Sequence, residues 1–392
     1  MFPERLLASI CSVQRLRSRP VLVGAALVLL LAVLVTSMLV LGQPAAGPSP
    51  SPTSSPTATA TPTPSPTPTA SPSPSPTPEP AAVCPLNGLP LDDVSYLDRT
   101  AIAVQIDDHP AARPARNLRL SDMVVEATVE GDATRFTAIF LCGDTEGLTG
   151  PIRSARYYNV DLWQDLHVLT IGFGASYKTL ARFASFGMPY VNGLQGGWPW
   201  FTRAGVGRSA PHNVYADVDV IRDTFGQSAA LDRLAAQVDP IRPQFTFDSE
   251  VSLPPGNLTA AVEVRTTSWW RVGWRWDADL GAWRRLDGGN PTADEVDGEP
   301  VTATSVVIQR VTEEVVYGDP DPGGSPRRLH HLVGTGVGTL YVDGRSIPLK
   351  WSRSTQADGT SWTYADSGEP VILPPGRVWW MIIPTQAGIT EF

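Results

Sequence analysis

The polar residues able to do chemistry gather in four groups: Asp107-Asp108-His109, Glu126 with Glu130, Arg135, and Arg153 with Arg156. Arg113 stands just behind the first group, and His212-Asn213 follow much later. Paired carboxylates beside a histidine can hold a divalent cation or serve as acid and base. Two arginines three residues apart, just after Gly150-Pro151, read as the first turn of a helix beginning near Ile152. Cations oppose the dipole at that end, so they ask for an anion. It could be a protein carboxylate, or a bound phosphate, sulfate or carboxylate meeting the free amides. Ion pairs with local Asp and Glu account for the same residues more simply. Ser154 is the one serine worth testing as a nucleophile, although helix capping is the commoner role for such a residue. His109 and His212 equally fit hydrogen-bonded structural histidines. Nothing matches a nucleophile elbow, a P-loop, a zincin helix or a Gly-rich dinucleotide turn.

The elements that must position these groups can be read from periodicity. Residues 101–106 form a buried strand running into Asp107. Residues 123–131 form a second, on which Glu126, Thr128 and Glu130 share one parity, so both carboxylates would face the same way. A short Gly-Asp turn leads to a third strand over 134–141, which predicts a hairpin. A strand over 168–172, a helix over 177–183 and a helix over 218–238 complete a mixed α/β domain spanning 83–240. The Gly/Trp/Pro-rich loop at 195–200 could line a site. Beyond Pro240 short β-type runs recur at 262–264, 271–276, 283–286, 305–309, 338–342 and 378–383. Asp287-Gly288, Asp343-Gly344 and Asp358-Gly359 read as hairpin turns. The fold class is therefore α+β, with a mostly antiparallel β domain over 250–392. Trp269, Trp270, Trp274, Trp276, Trp283, Trp351, Trp362, Trp379 and Trp380 could stack on sugars, but a Trp-rich core is the more frequent explanation.

The chain begins with Arg15, Arg17 and Arg19 ahead of an uncharged apolar run at 21–41, and no Lys or Arg follows until Arg99. That length spans a bilayer, and the charge bias places residues 1–20 in the cytoplasm and everything after the span outside. A cleaved signal peptide is the competing reading, with a longer apolar region than usual. Residues 42–82 are Pro, Ser, Thr and Ala almost throughout, a disordered stalk inclined to polyproline II and able to reach roughly 120 Å at ~3.1 Å per residue. Cys84 and Cys142 are the two thiols outside; in an exported chain they suggest a disulfide, and otherwise two buried free thiols. Of 30 basic and 39 acidic residues, four Arg and two Glu lie in the first 82; the remainder stands at −11. Such an acidic ectodomain argues against general nucleic-acid binding. Only Lys178 and Lys350 are lysines, against 28 arginines, so arginine is the default cation of this chain.

Several stretches together resemble the YerB-like family of bacterial envelope lipoproteins. They are Cys84-Pro85-Leu86-Asn87-Gly88-Leu89-Pro90, Ile106-Asp107-Asp108-His109-Pro110-Ala111-Ala112-Arg113-Pro114, Glu130-Gly131 with Thr134-Arg135-Phe136, Gly150-Pro151-Ile152-Arg153-Ser154-Ala155-Arg156, and Ala210-Pro211-His212-Asn213. Later segments, among them Ser305-Val306-Val307-Ile308-Gln309 and Pro375-Gly376-Arg377-Val378-Trp379, resemble the same family's second domain. The resemblance implies a two-domain extracytoplasmic protein tethered to the membrane, and implies no activity. Two departures stand out. No cysteine follows the apolar run, so a transmembrane helix would replace the lipid anchor, and Asp108 stands where the motif leads one to expect asparagine.

The expectation is a single-pass protein of the cell membrane with its domains outside. It would bind an anionic cell-wall polymer, a lipid-linked phosphate or a partner envelope protein through Arg153 and Arg156. Asp107, Asp108, His109, Arg113, Glu126, Glu130, Arg135, His212 and Asn213 would lie around them. No cofactor is required, though Mg²⁺ or Ca²⁺ could sit on the carboxylates. The rival expectation is a divalent-cation-dependent phosphotransferase or hydrolase acting on envelope glycopolymers.

Overall fold

Ile102–Asp107 (β1), Met123–Thr128 (β2) and Thr134–Phe140 (β3) are buried at every position. Strands apolar on both parities belong inside a sheet that is covered on both faces. In the computed structural model, which describes residues 82–392 except 205–206 and 267–269, they occupy that place. The expected cytoplasmic segment, the membrane span at 21–41, the stalk up to residue 81 and Trp269 lie outside the described residues. Among the described residues no helix is long and apolar enough to cross a membrane.

β2 and β3 form the expected hairpin, and β1 pairs antiparallel with β3, Asp107 opposite Arg135. Leu169–Gly172 (β4) and Tyr190–Asn192 (β5) continue the sheet in parallel beyond β1. Ala261–Arg265 (β6), Arg271–Asp277 (β7) and Ala282–Asp287 (β8) build a second, antiparallel sheet. The chain then returns to the first sheet with Ser305–Pro320 (β9), Pro326–His331 (β10), Gly334–Val342 (β11), Arg345–Arg353 (β12) and Val378–Pro384 (β13). The order across it is β12-β11-β9-β13-β2-β3-β1-β4-β5, with β10 paired to the outer half of β9. The segments 83–240 and 250–392 are thus joined through one sheet, because β13 lies in parallel between β2 and β9. The protein is mostly β, and the predominantly antiparallel character expected of the later segment holds apart from β13 and the short parallel pairing of Ile372–Leu373 with Thr246–Phe247.

Alternation along these strands divides the core. Ile102, Val104, Ile106, Val124, Phe136, Ile308, Trp379 and Met381 share one cluster with Val262, Val264, Trp274 and Trp283 of the second sheet. Ala103, Val125, Ala127, Ile139, Val307, Trp380 and Ile382 share another with Leu162, Leu166 and Phe245. Neighbouring Trp379 and Trp380 therefore anchor opposite faces, Trp379 edge-on to Trp274 (5.0 Å) and Trp380 edge-on to Trp362 (6.1 Å). Trp270, Trp274, Trp283, Trp351, Trp362, Trp379 and Trp380 are all buried, so they form core rather than a sugar-stacking surface.

Local signals explain the shorter elements. Asp343 and Gly344, both at positive φ, make the two-residue turn that joins β11 to β12. The helices are Asn159–Leu166 (α1), Tyr177–Phe186 (α2), Val218–Asp223 (α3) and Ala229–Ala235 (α4). Ser176 caps α2 by accepting from the Thr179 amide (3.0 Å), and Gly187 ends it in the left-handed region. The single helix expected over 218–238 is instead α3 and α4. Gly226 at φ +77° separates them, and Asp217 and Ser228 cap each start. Cys84 and Cys142, 58 residues apart, are joined as a disulfide.

One buried ion network ties the second sheet to the first. Arg285 on β8 and Glu126 on β2 are both fully buried and bonded, Nη2 to Oε1 at 2.9 Å. Arg285 Nη2 also reaches Asp108 Oδ2 (3.2 Å), and its guanidinium lies over the Phe136 and Trp379 rings. Trp379 Nε1 donates to the other Glu126 oxygen (2.8 Å), and Arg113 Nε to Asp108 Oδ1 (3.0 Å). Removing one partner of such a set leaves uncompensated buried charge. Arg285→Met is therefore expected to lose about 3–5 kcal/mol in urea unfolding, and Arg285→Met/Glu126→Gln to recover part of it. Equal stability of Arg285→Met and wild type would show that the network does not hold the sheets together.

Candidate functional site

The run after Gly150 decides where the arginines go. It was expected to open a helix, but residues 151–153 lie extended along the end of β1. The Asp107 amide donates to Pro151 O and the Arg153 amide to Gln105 O, both at 2.8 Å, while the Ile152 amide donates to Val214 O (2.6 Å). These amides gain strand partners, which outweighs the local helical pattern, and α1 starts only at Asn159. Gly150 permits the close approach: a Cβ there would lie 2.9 Å from Val214 O.

This pairing brings separate motifs together. Arg153 lies beside Asp107 (Nε to Oδ2, 3.2 Å), and the bend just before the strand Val214–Asp217 carries His212 to the same oxygen (Nδ1 to Oδ2, 2.7 Å). Asp107 Oδ1 accepts the His109 amide (3.2 Å), and the His109 ring stacks on His212 with centroids 4.6 Å apart at 18°. Burial alone would raise the Asp107 carboxyl. The His212 hydrogen bond, with Arg135 and Arg153, outweighs burial and holds it below the ordinary carboxylate range. Burial pushes His109 below the ordinary imidazole value, and neighbouring His212, Arg153 and Arg113 add to that against the pull of Asp107.

These residues line a cavity of about 270 Å³ together with Glu130, Arg135 and Asp321. Arg135 is 4% exposed; its Nη1 donates to Ser154 O (2.9 Å), its Nε has no partner, and no carboxylate comes within ion-pair distance among the described residues. Glu130 lies past the end of β2, where Arg156 grips it with Nε (2.6 Å) and Nη2, and Arg327 adds a third contact (2.8 Å). The β9–β10 hairpin supplies Arg327, Asp321 and Asp319, the last accepting from Tyr157 Oη at 2.7 Å.

Of the expected site residues, Asp107, His109, Glu130, Arg135, Arg153 and His212 converge. Arg156 does not line the cavity: it is buried against Glu130, so Arg153 and Arg156 are not a paired anion clamp. Asp108, Arg113 and Glu126 belong to the Arg285 network, and Glu126 and Glu130 do not face the same way, because the chain turns at Val129. Asn213 accepts from Arg203 Nη1 (2.8 Å) and lies outside the cavity lining. Ser154 Oγ donates to Phe173 O (3.0 Å). Sequence reasoning missed Asp321, Arg327 and Arg285; the signal for the first two is an acidic Pro/Gly turn followed by Arg327-Arg328. A larger depression of about 500 Å³ is lined by five aspartates with Arg99 and Arg222, but it shares no residue with the cluster. Its arginines are already paired, Arg99 with Asp144 at 3.0 Å and Arg222 with Asp219 at 3.1 Å.

The lowered Asp107 carboxyl sets a pH dependence. A depressed folded-state value stabilises fully above the ordinary 3.8 and loses that contribution as pH falls through the lower folded value. Asp107→Asn should cost about 2 kcal/mol near neutrality, and the gap from wild type should close as unfolding is followed from pH 5 downward. A gap unchanged at pH 2 would mean that the carboxylate charge contributes nothing.

Two family models match the chain: the N-terminal domain of the proteins of unknown function DUF3048 over residues 86–231, and the C-terminal domain of the same family over 261–380. YerB of Bacillus subtilis (strain 168) is 29% identical over 308 residues, covering 76% of this chain and 86% of YerB. The crystal structure of YerB protein from Bacillus subtilis superposes with a TM-score of 0.65 at 27% identity, over 79% of this chain and 99% of that one. With both halves of the family pattern present in order, and with its fold matched, the chain is a homologue of YerB and belongs to the DUF3048 family.

Proposed function

We propose that this chain is an extracytoplasmic envelope protein, held at the cell membrane by its 21–41 span, whose cavity binds a phosphate-bearing group of a wall polymer or a lipid-linked carrier. The relative YerB is provisionally described as a lipoprotein, which supports a place in the envelope. The apolar span and the Cys84–Cys142 disulfide support export.

Arg135 carries the ligand reading. A guanidinium buried without a carboxylate partner is costly, and an anion entering the cavity would relieve that cost. Arg153 and the donor face of His109 would share the load, since both line the same space. Arg135 is the cation left to meet the phosphate, because Arg153 already lies beside Asp107 and Glu130 is already gripped by Arg156 and Arg327.

Thermal unfolding of the full chain tests this reading, with a glycerol-phosphate oligomer in one arm and vesicles carrying a polyprenyl phosphate in the other. Ligand at a hundredfold excess over Kd should stabilise by about 2.7 kcal/mol. Arg135→Met should abolish that response, at some cost to the unliganded protein because it removes a charge that helps hold Asp107 ionised. If neither ligand moves the wild type, the arginine is structural and the reading is wrong.

A further inference from the structure

The two stacked histidines are in opposite states. His109 Nδ1 accepts the Ala111 amide (3.1 Å), so the His109 proton must be on Nε2. His212 Nδ1 meets the Asp107 carboxylate (2.7 Å), so it carries the proton there and leaves Nε2 as an acceptor. Neither Nε2 is hydrogen-bonded to a described residue, and both rings line the cavity. The cavity therefore offers a base oriented by a carboxylate beside a neutral donor. It offers no second imidazolium to act as a separate acid, because protonating His109 would set two N–H groups against each other at Ala111.

From this we infer that the cavity cleaves a phosphoric anhydride, with His212 as general base and Asp107 as its positioning residue. The inference rests on the phosphate-binding reading above. A base without an acid suits a bond whose leaving oxygen departs as a stable anion, and phosphate is such a leaving group whereas an alkoxide is not. Water gives a proton to His212 Nε2 as its oxygen bonds to one phosphorus. The bridging P–O bond breaks, its electron pair stays on the departing phosphate, and His212 then releases the proton to solvent. Arg135, Arg153 and the His109 Nε2–H stand around the same cavity, where they can meet the non-bridging oxygens. The charged groups bearing on His212 are Asp107 in contact, Arg153 on the same Asp107 oxygen, His109 stacked on it, and Arg135, Glu130 and Asp321 in the cavity wall.

The full chain is incubated with farnesyl diphosphate or with inorganic pyrophosphate, in EDTA to silence contaminating metallophosphatases, and released phosphate is measured. Binding of the same two probes is followed separately by thermal shift. The inference expects turnover that rises with pH to a plateau through one ionisation. His212→Gln should lower it about 100-fold with the thermal shift kept. Asp107→Asn should lower the plateau, since it removes the carboxylate that orients His212 Nδ1. Turnover of farnesyl diphosphate alone would assign a lipid-linked substrate, and turnover of both a site that reads only the anhydride. A thermal shift without turnover, or turnover untouched in His212→Gln, overturns the inference and leaves the binding reading standing. Absence of any thermal shift overturns both.

Discussion

Glu126 lies in the middle of β2 with no access to water, and among the described residues its own half of the chain brings no cation within ion-pair distance. The cation arrives as Arg285, 159 residues later, from a strand of the other sheet. A carboxylate buried on this scale is tolerated only when paired and hydrogen-bonded, so the first half cannot adopt its structure independently of the second. The insertion of β13 between β2 and β9 makes the same demand on the backbone, and Trp379 of that strand closes the network through its indole N–H. Two family patterns along the sequence therefore describe one cooperative sheet.

That network also explains how two adjacent aspartates come to do different work. At the end of β1, Asp107 and Asp108 point to opposite sides, as consecutive residues of a strand must. Asp108 enters the layer between the sheets, where burial, with Asp287 and Glu126 nearby, raises its carboxyl despite Arg285 and Arg113. Asp107 turns to the cavity and is held ionised by His212 and the arginines. One carboxylate serves the fold and the other serves the site, separated by the pleat of a single strand.

Periodicity made the strands and hairpins legible because their causes are local: β-branched runs and an Asp-Gly turn at 343–344. The helix predicted at Ile152 failed for a non-local reason. Its amides found acceptors on β1 and on Val214, partners that no window of neighbouring residues contains. The reversal of Arg156 from ligand clamp to buried ion pair follows from the same backbone path. The β9–β10 hairpin lies about 170 residues from the motifs it completes, and arginine is so much the default cation here that Arg327 carried no signal of its own. The list of polar residues was therefore a fair guide to which groups matter, and a poor guide to which of them meet.

What remains distinctive is an imbalance inside a balanced cluster. Arg153, Arg156 and Arg327 each have a carboxylate partner, and Glu130 serves two of them. Such pairs relieve their own burial and leave little field outside. Arg135 has a carbonyl, an unsatisfied Nε and a cavity. Arg135 also lies opposite Asp107 on the paired strand and its charge helps hold that carboxylate ionised, so it serves the sheet as well as the cavity. On the ligand reading, that cation, beside a histidine held by a carboxylate, is what a group entering the cavity would meet.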